Sequence, residues 1–136
     1  MEIIHENNFF KLEFKSSNQS VYLTWKKFVT IDFENYKLPF EISGEFQKTH
    51  KIDNFFVDAT EQGIISPAFR QWFQEVALKT AVSKGLKRTA FVMKANVFKK
   101  YYINHILNFS GKIGLTLKIF STVSEGEKWI SSFYKN

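Results

Sequence analysis

Cysteine is absent from this chain, which excludes disulfides, thiolate nucleophiles and thiolate metal sites. The three histidines, His5, His50 and His105, lie far apart in the sequence and form no metal-ligand spacing. The six glycines are scattered, so there is no phosphate-cradling loop, dinucleotide fingerprint or nucleophile elbow. No apolar stretch approaches the roughly 20 residues of a membrane span. The opening MEIIHENN is acidic and polar, unlike a secretory signal. Internal repeats, low-complexity segments and linkers are also missing. The expectation is a cytoplasmic protein without a transmembrane segment, a single domain over residues 1–136. It is expected to use no cofactor and not to be an enzyme.

Phenylalanine is abundant. The chain holds 16 of them, and aromatic residues make up 18% of it, enough for a Phe-packed core or a Phe-lined ligand pocket. The formal charge is +6, yet only two basic residues are arginine. Lys79, Lys84, Lys87, Arg88, Lys94, Lys99 and Lys100 gather in the second half. Such a patch could meet an acidic partner, anionic lipid or nucleic acid. No nucleic-acid motif accompanies it, and a solvated face is the expected role.

The stretch from Ile52 to Leu86 organises the fold. Phe55, Phe56 and Val57 form a continuous apolar run closed by Asp58, the mark of a strand buried on both faces. After the loop ATEQGII, Ser66 and Pro67 read as N-cap and first helical residue. Phe69, Trp72, Phe73, Val76 and Ala77 then recur on one helical face, and Gly85 reads as a left-handed stop. Upstream, FFKLEFK and QSVYLTW alternate as two strands of an antiparallel hairpin, with a short strand at Glu2 to His5 before them. Thr30 and Asp32 compete to cap the next helix. Pro39 is expected to break or kink that helix before His50. Downstream, KRTAFVM reads as a strand, Ala95 to Asn108 as a helix, and Ser110 to Gly114 as a loop. A strand from Leu115 to Phe120 follows, then a terminal helix capped by Ser124 that carries Trp129, Ile130 and Phe133. The fold class is therefore α/β: a mixed sheet with an antiparallel amino-terminal hairpin, followed by β-α units whose helices pack against it.

Four phrases in this order carry a family resemblance: VYLTWKKFVTIDFENY, FFVDATEQGIISPAFRQW, GLKRTAFVM and LKIFSTVSEGEKWI. Together they resemble the SpoIIAA-like branch of the STAS superfamily, which is also similar to the CRAL-TRIO lipid carriers. The resemblance implies a non-catalytic regulatory or protein-interaction module with a protein partner or a homodimeric state. The lipid-carrier likeness implies a second reading, a carrier or sensor of a small apolar ligand. In the anti-sigma-factor antagonists of the superfamily, a Ser at the start of the helix after the central strand can be phosphorylated. Ser66 lies in that region and is the candidate phosphoacceptor, although here Asp58 is followed by Ala59, Thr60 and a longer loop.

The expected binding edge is the carboxyl end of the parallel strands, where α/β sheets often hold ligands. Its candidate residues are Asp58, Thr60, Glu61, Ile64, Ile65 and Ser66. Ile64 and Ile65 are two apolar residues at the end of a loop where a solvated segment would want none. A third reading, a hydrolase or transferase using Asp58 or Ser66, has only that lone carboxylate and hydroxyl behind it.

Overall fold

The structure, a computed structural model, describes residues 1–94 and 97–134, and the side chains of all these but 97–102. Six strands form one sheet in the order β1-β2-β3-β4-β5-β6: Glu2–Glu6, Phe10–Lys15, Ser20–Trp25, Asn54–Asp58, Arg88–Val92 and Thr116–Phe120. The first three pair antiparallel, and β3 to β6 pair parallel. This is the mixed sheet that the alternating hairpin and the buried apolar runs require.

The parallel strands are joined by helices α1 (Phe33–Gln47), α2 (Pro67–Trp72) with α3 (Lys79–Ser83), and α4 (Val97–Lys112). Between α2 and α3 the rod passes through a π-helical segment, Phe73–Leu78. These helices cover one face of the sheet, where Val21, Leu23, Phe55, Val57, Phe91 and Leu117 form the floor of the main core. Helix α5 (Val123–Ser131) alone covers the other face. There Ile130, Phe56, Tyr22, Ala90 and Val92 make a second, smaller core. The period of two along β4 explains the division, since Phe55 and Val57 face one core and Phe56 the other.

Helix α1 runs unbroken through Pro39, where a break or kink was expected. A mid-helix proline costs about 3 kcal/mol. Here its own ring is buried, and neighbouring Tyr36 packs at 5.6 Å, almost parallel, on the Trp25 indole. Burial of large rings on the sheet outweighs the local penalty. Asp32 wins the N-cap position over Thr30, although its carboxylate bonds the Asn35 amide (2.6 Å) rather than a backbone N–H.

Two further boundaries differ from expectation. The Ser110 to Gly114 segment is helical as far as Lys112, because the Ser110 hydroxyl donates to the Leu107 carbonyl (2.9 Å) and is satisfied inside the helix. The turn comes at Gly114, at φ +76°. Helix α5 is capped by Thr122, not Ser124: its hydroxyl accepts from the Glu125 N–H (3.2 Å) and donates to the Glu125 carboxylate (2.9 Å). The Thr-x-x-Glu spacing of a capping box is present in the sequence. The start of the expected Ala95 helix falls outside the described residues.

Gly85 does stop α3, at φ +109°. The Leu86 N–H reaches back to the Ala81 carbonyl (3.0 Å) and the Gly85 N–H to that of Val82 (3.0 Å), the paired bonds of a Schellman ending.

Candidate functional site

Two places bear on ligand binding, at opposite ends of the parallel strands. At the carboxyl end stand the residues named from the sequence. Asp58 closes β4, and its carboxylate accepts from the Thr60 N–H (3.0 Å) and hydroxyl (2.8 Å), so it fixes the turn out of the strand. Glu61 is exposed. Ile64 and Ile65 separate: Ile64 is 71% exposed and Ile65 only 5%. The pair is therefore not a joint surface patch; Ile65 belongs to the main core and Ile64 to solvent. Ser66 caps α2, its hydroxyl accepting from the Phe69 N–H at 3.3 Å with Pro67 at the first helical position. A cap of this kind contributes about 1 kcal/mol.

The loop that carries these residues is pinned from outside. The Ile64 N–H donates to the Val29 carbonyl (3.0 Å), and a Cβ added to Gly63 would come within 1.9 Å of the Phe28 carbonyl oxygen. Behind the loop, between Trp25, Gln62, Arg70 and Met93, only about 30 Å³ of space remains, about the room taken by one water. The strand order gives the reason. Ligand crevices at carboxyl ends open where the order of a parallel sheet reverses. Here the order is sequential and all the connecting helices lie on one face, so no reversal splits the loops apart.

The larger opening lies towards the other end. A cavity of about 400 Å³ sits between α1 and the rod from Trp72 to Lys84. Its floor is Val21, Ile52, Phe55 and Leu86, at the amino-terminal ends of β3, β4 and β5. Phe40 forms the wall on α1, while Trp72, Phe73, Val76 and Ala77 form the wall on the rod. Lys37, Glu41, Glu45, Thr80 and Lys84 supply polar groups around it.

The two helical elements touch at both ends and also through the Phe40 ring, which meets Phe73 at 5.0 Å and Trp72 at 5.9 Å; the cavity opens beside these contacts. At one end, Phe33 and Tyr36 stack on Phe69 (4.9 and 5.5 Å), and Phe33 meets Trp72 edge-on (5.6 Å). At the other, the Gln47 amide donates to the Ala81 carbonyl (2.9 Å) and the Lys84 ammonium to that of Gly44 (3.2 Å). The π-helical turns form the wall of the intervening gap. Such segments insert an extra residue into the helical ladder and recur at functional sites. Val76, within it, is 46% exposed although it lines the cavity.

A third polar cluster clasps the carboxyl terminus to the sheet. The Arg88 guanidinium donates to Asn54 Oδ1 (2.7 Å) and the Tyr134 hydroxyl (3.0 Å), and lies 4.1 Å from the Phe133 ring centre. Tyr134 in turn donates to the buried carboxylate of Asp53 (3.1 Å), which Lys87 approaches at 3.6 Å. Several members of the basic second half thus have internal partners: Lys84, Lys87 and Arg88 are not a purely solvated face. The side chains of Lys99 and Lys100 lie outside the described residues. Nearby, burial pushes the Tyr22 hydroxyl up to about 12, with the Glu127 charge adding to the effect.

Among the described residues no group of three or more His, Asp and Glu could hold a metal ion, and no helix is long and apolar enough to cross a membrane. His50 instead stacks on Phe46 at 3.8 Å.

With this geometry in view, the fold has a solved counterpart. It is similar to the NMR structure of the protein TM1081, with a TM-score of 0.58 over 93% of this chain and 91% of that one. Identity to TM1081 is 19%, so the likeness speaks for the fold alone. No protein-family model and no curated protein matches the chain.

Sequence reading singled out the carboxyl edge and missed the cavity. Trp72, Phe73, Val76 and Ala77 were legible as an apolar helix face, but an apolar face reads alike whether it touches its neighbour or stands off it.

Proposed function

We propose that this protein is a non-catalytic binding module that takes a small, mostly apolar ligand in the cavity between α1 and the π-helical rod. The cavity itself carries the reading. Ligand pockets commonly enclose about 300–1,000 Å³, apolar within and polar at a few points. A volume of about 400 Å³ lined by Phe40, Phe55, Trp72, Phe73 and Ala77 fits that description. The cavity opens to solvent, with Val76 46% exposed on its wall, so a ligand can enter it without displacing the core. The resemblance of the sequence to the CRAL-TRIO lipid carriers agrees with a sensor or carrier.

The test uses an uncharged probe, 1-decanol, followed by calorimetry and by the emission of Trp72. Decanol should bind with one site per chain. Ala77→Phe, which places a ring in the gap, should weaken binding at least about tenfold (~1.4 kcal/mol) while the protein stays folded. Unchanged decanol affinity in a folded Ala77→Phe protein would sink the proposal.

A second reading, a regulatory module that docks a protein partner or a second copy, has its own observation. Val29 (79% exposed) and Ile64 (71% exposed) sit side by side, joined through the Val29 carbonyl and the Ile64 N–H. In this reading Ser66, at the positive end of α2, is the candidate phosphoacceptor. Ile64→Asp should then abolish self-association or partner capture with little loss of stability. Equal association by wild type and variant in sedimentation and pull-down measurements would eliminate it.

A further inference from the structure

We infer that the ligand of the cavity is an anionic amphiphile, a medium-length acyl chain ending in a carboxylate, and that Lys84 is the residue that reads its charge. The inference rests on the cavity being a binding site. At about 30 Å³ for each small group, a cavity of about 400 Å³ holds on the order of ten carbons.

The charges at the cavity differ in how far they are already engaged. Lys37 pairs with Glu34 at 3.4 Å and lies 4.6 Å from the Phe33 ring centre. Glu45 pairs with Lys48 at 2.9 Å, and that ammonium, with a smaller contribution from the Lys84 charge, holds its carboxyl below the usual range. Lys84 is the exception among the lysines here. Its ammonium makes one hydrogen bond among the described residues, to the Gly44 carbonyl at 3.2 Å, and no ion pair within 4 Å. An ammonium has three donors, so two remain for an acceptor at the cavity. Gly44 lies in the last turn of α1, and its carbonyl belongs to the negative end of that helix. Lys84 is thus drawn across the gap from α3 to α1, onto the cavity wall. A carboxylate beside it would gain charge-assisted hydrogen bonds, which are about twice as strong as neutral ones. Glu41, exposed on α1 at the same cavity, has no ion pair among the described residues and is the competing charge. It would favour an amine head group instead.

Three probes of equal chain length separate the outcomes: decanoate, 1-decanol and decylamine, each titrated into the full chain and into Lys84→Met. Decanoate should bind the wild-type protein at least about tenfold more tightly than decanol. Lys84→Met should bring the decanoate-to-decanol affinity ratio down to about one, with thermal unfolding of the variant checking that it is folded. Lys84→Arg should restore most of the advantage. If decanol and decanoate bind alike, or decylamine binds best, the charge assignment is overturned while the cavity remains a binding site. If none of the three binds, both the assignment and the cavity reading fall.

Discussion

Phe56→Ala should destabilise the protein by about 3–5 kcal/mol, the range for removing a buried ring and leaving a cavity. Phe56 is 1% exposed and stacks on Tyr22 at 4.6 Å in the smaller core. Helix α5 presses onto it at a single small residue: a Cβ added at Gly126 would lie 2.8 and 3.0 Å from two atoms of the Phe56 ring. Only glycine lets the helix sit so close. The same contact supplies an internal check. Gly126→Ala alone should destabilise, but in the Phe56→Ala background the methyl enters vacated space and should cost less or even restore stability. Urea unfolding of the four proteins measures both effects. A Phe56→Ala loss below about 1 kcal/mol would place this strand at the periphery of the fold.

Gly63→Ala should be the second severe substitution, at roughly 3 kcal/mol, the upper end of the usual range for overpacking. Its added carbon would meet the Phe28 carbonyl oxygen at 1.9 Å and that of Val29 at 2.7 Å. Backbone cannot rotate aside as a flexible side chain can, so one of the two loops must move. Movement there would strain the Ile64 to Val29 hydrogen bond and disturb buried Ile65. Thermal unfolding with a midpoint within about a degree of wild type would show that the two loops are not held together as described.

Much of this architecture was legible because its signals are local. The run Phe55 to Val57, the pair Ser66 and Pro67, and the stop at Gly85 each act through their own backbone or nearest neighbours. Thr122 was legible in the same way, and its capping-box spacing to Glu125 was passed over for Ser124. Pro39 shows a different limit: it reads as an interruption, and the helix continues through it as one element. Its penalty is local, whereas the rings that override it, Trp25, Tyr36 and Phe40, meet only once the sheet has formed. The candidate site shows the same limit. Ser66 reads as a cap and the structure places it so, whereas the Asp58 carboxylate, a candidate for the binding edge, is engaged with Thr60 in its own turn. The cavity depends on how far α1 stands from the rod beside the contacts of Phe40 with Trp72 and Phe73. No spacing of apolar residues records that distance.

The sequential strand order bears on how the chain leaves the ribosome. Each strand from β2 to β6 pairs with the one immediately before it, so every new strand meets a partner that has already been synthesised. The helices between parallel strands arrive in step and cover the main core as it grows. The opposite face has no such escort. Phe56, Ala90 and Val92 stay bare until residues 123–131 appear as α5. Nascent protein therefore carries one covered face and one adhesive face until α5 emerges, and its window for sticking to other chains stays open until then.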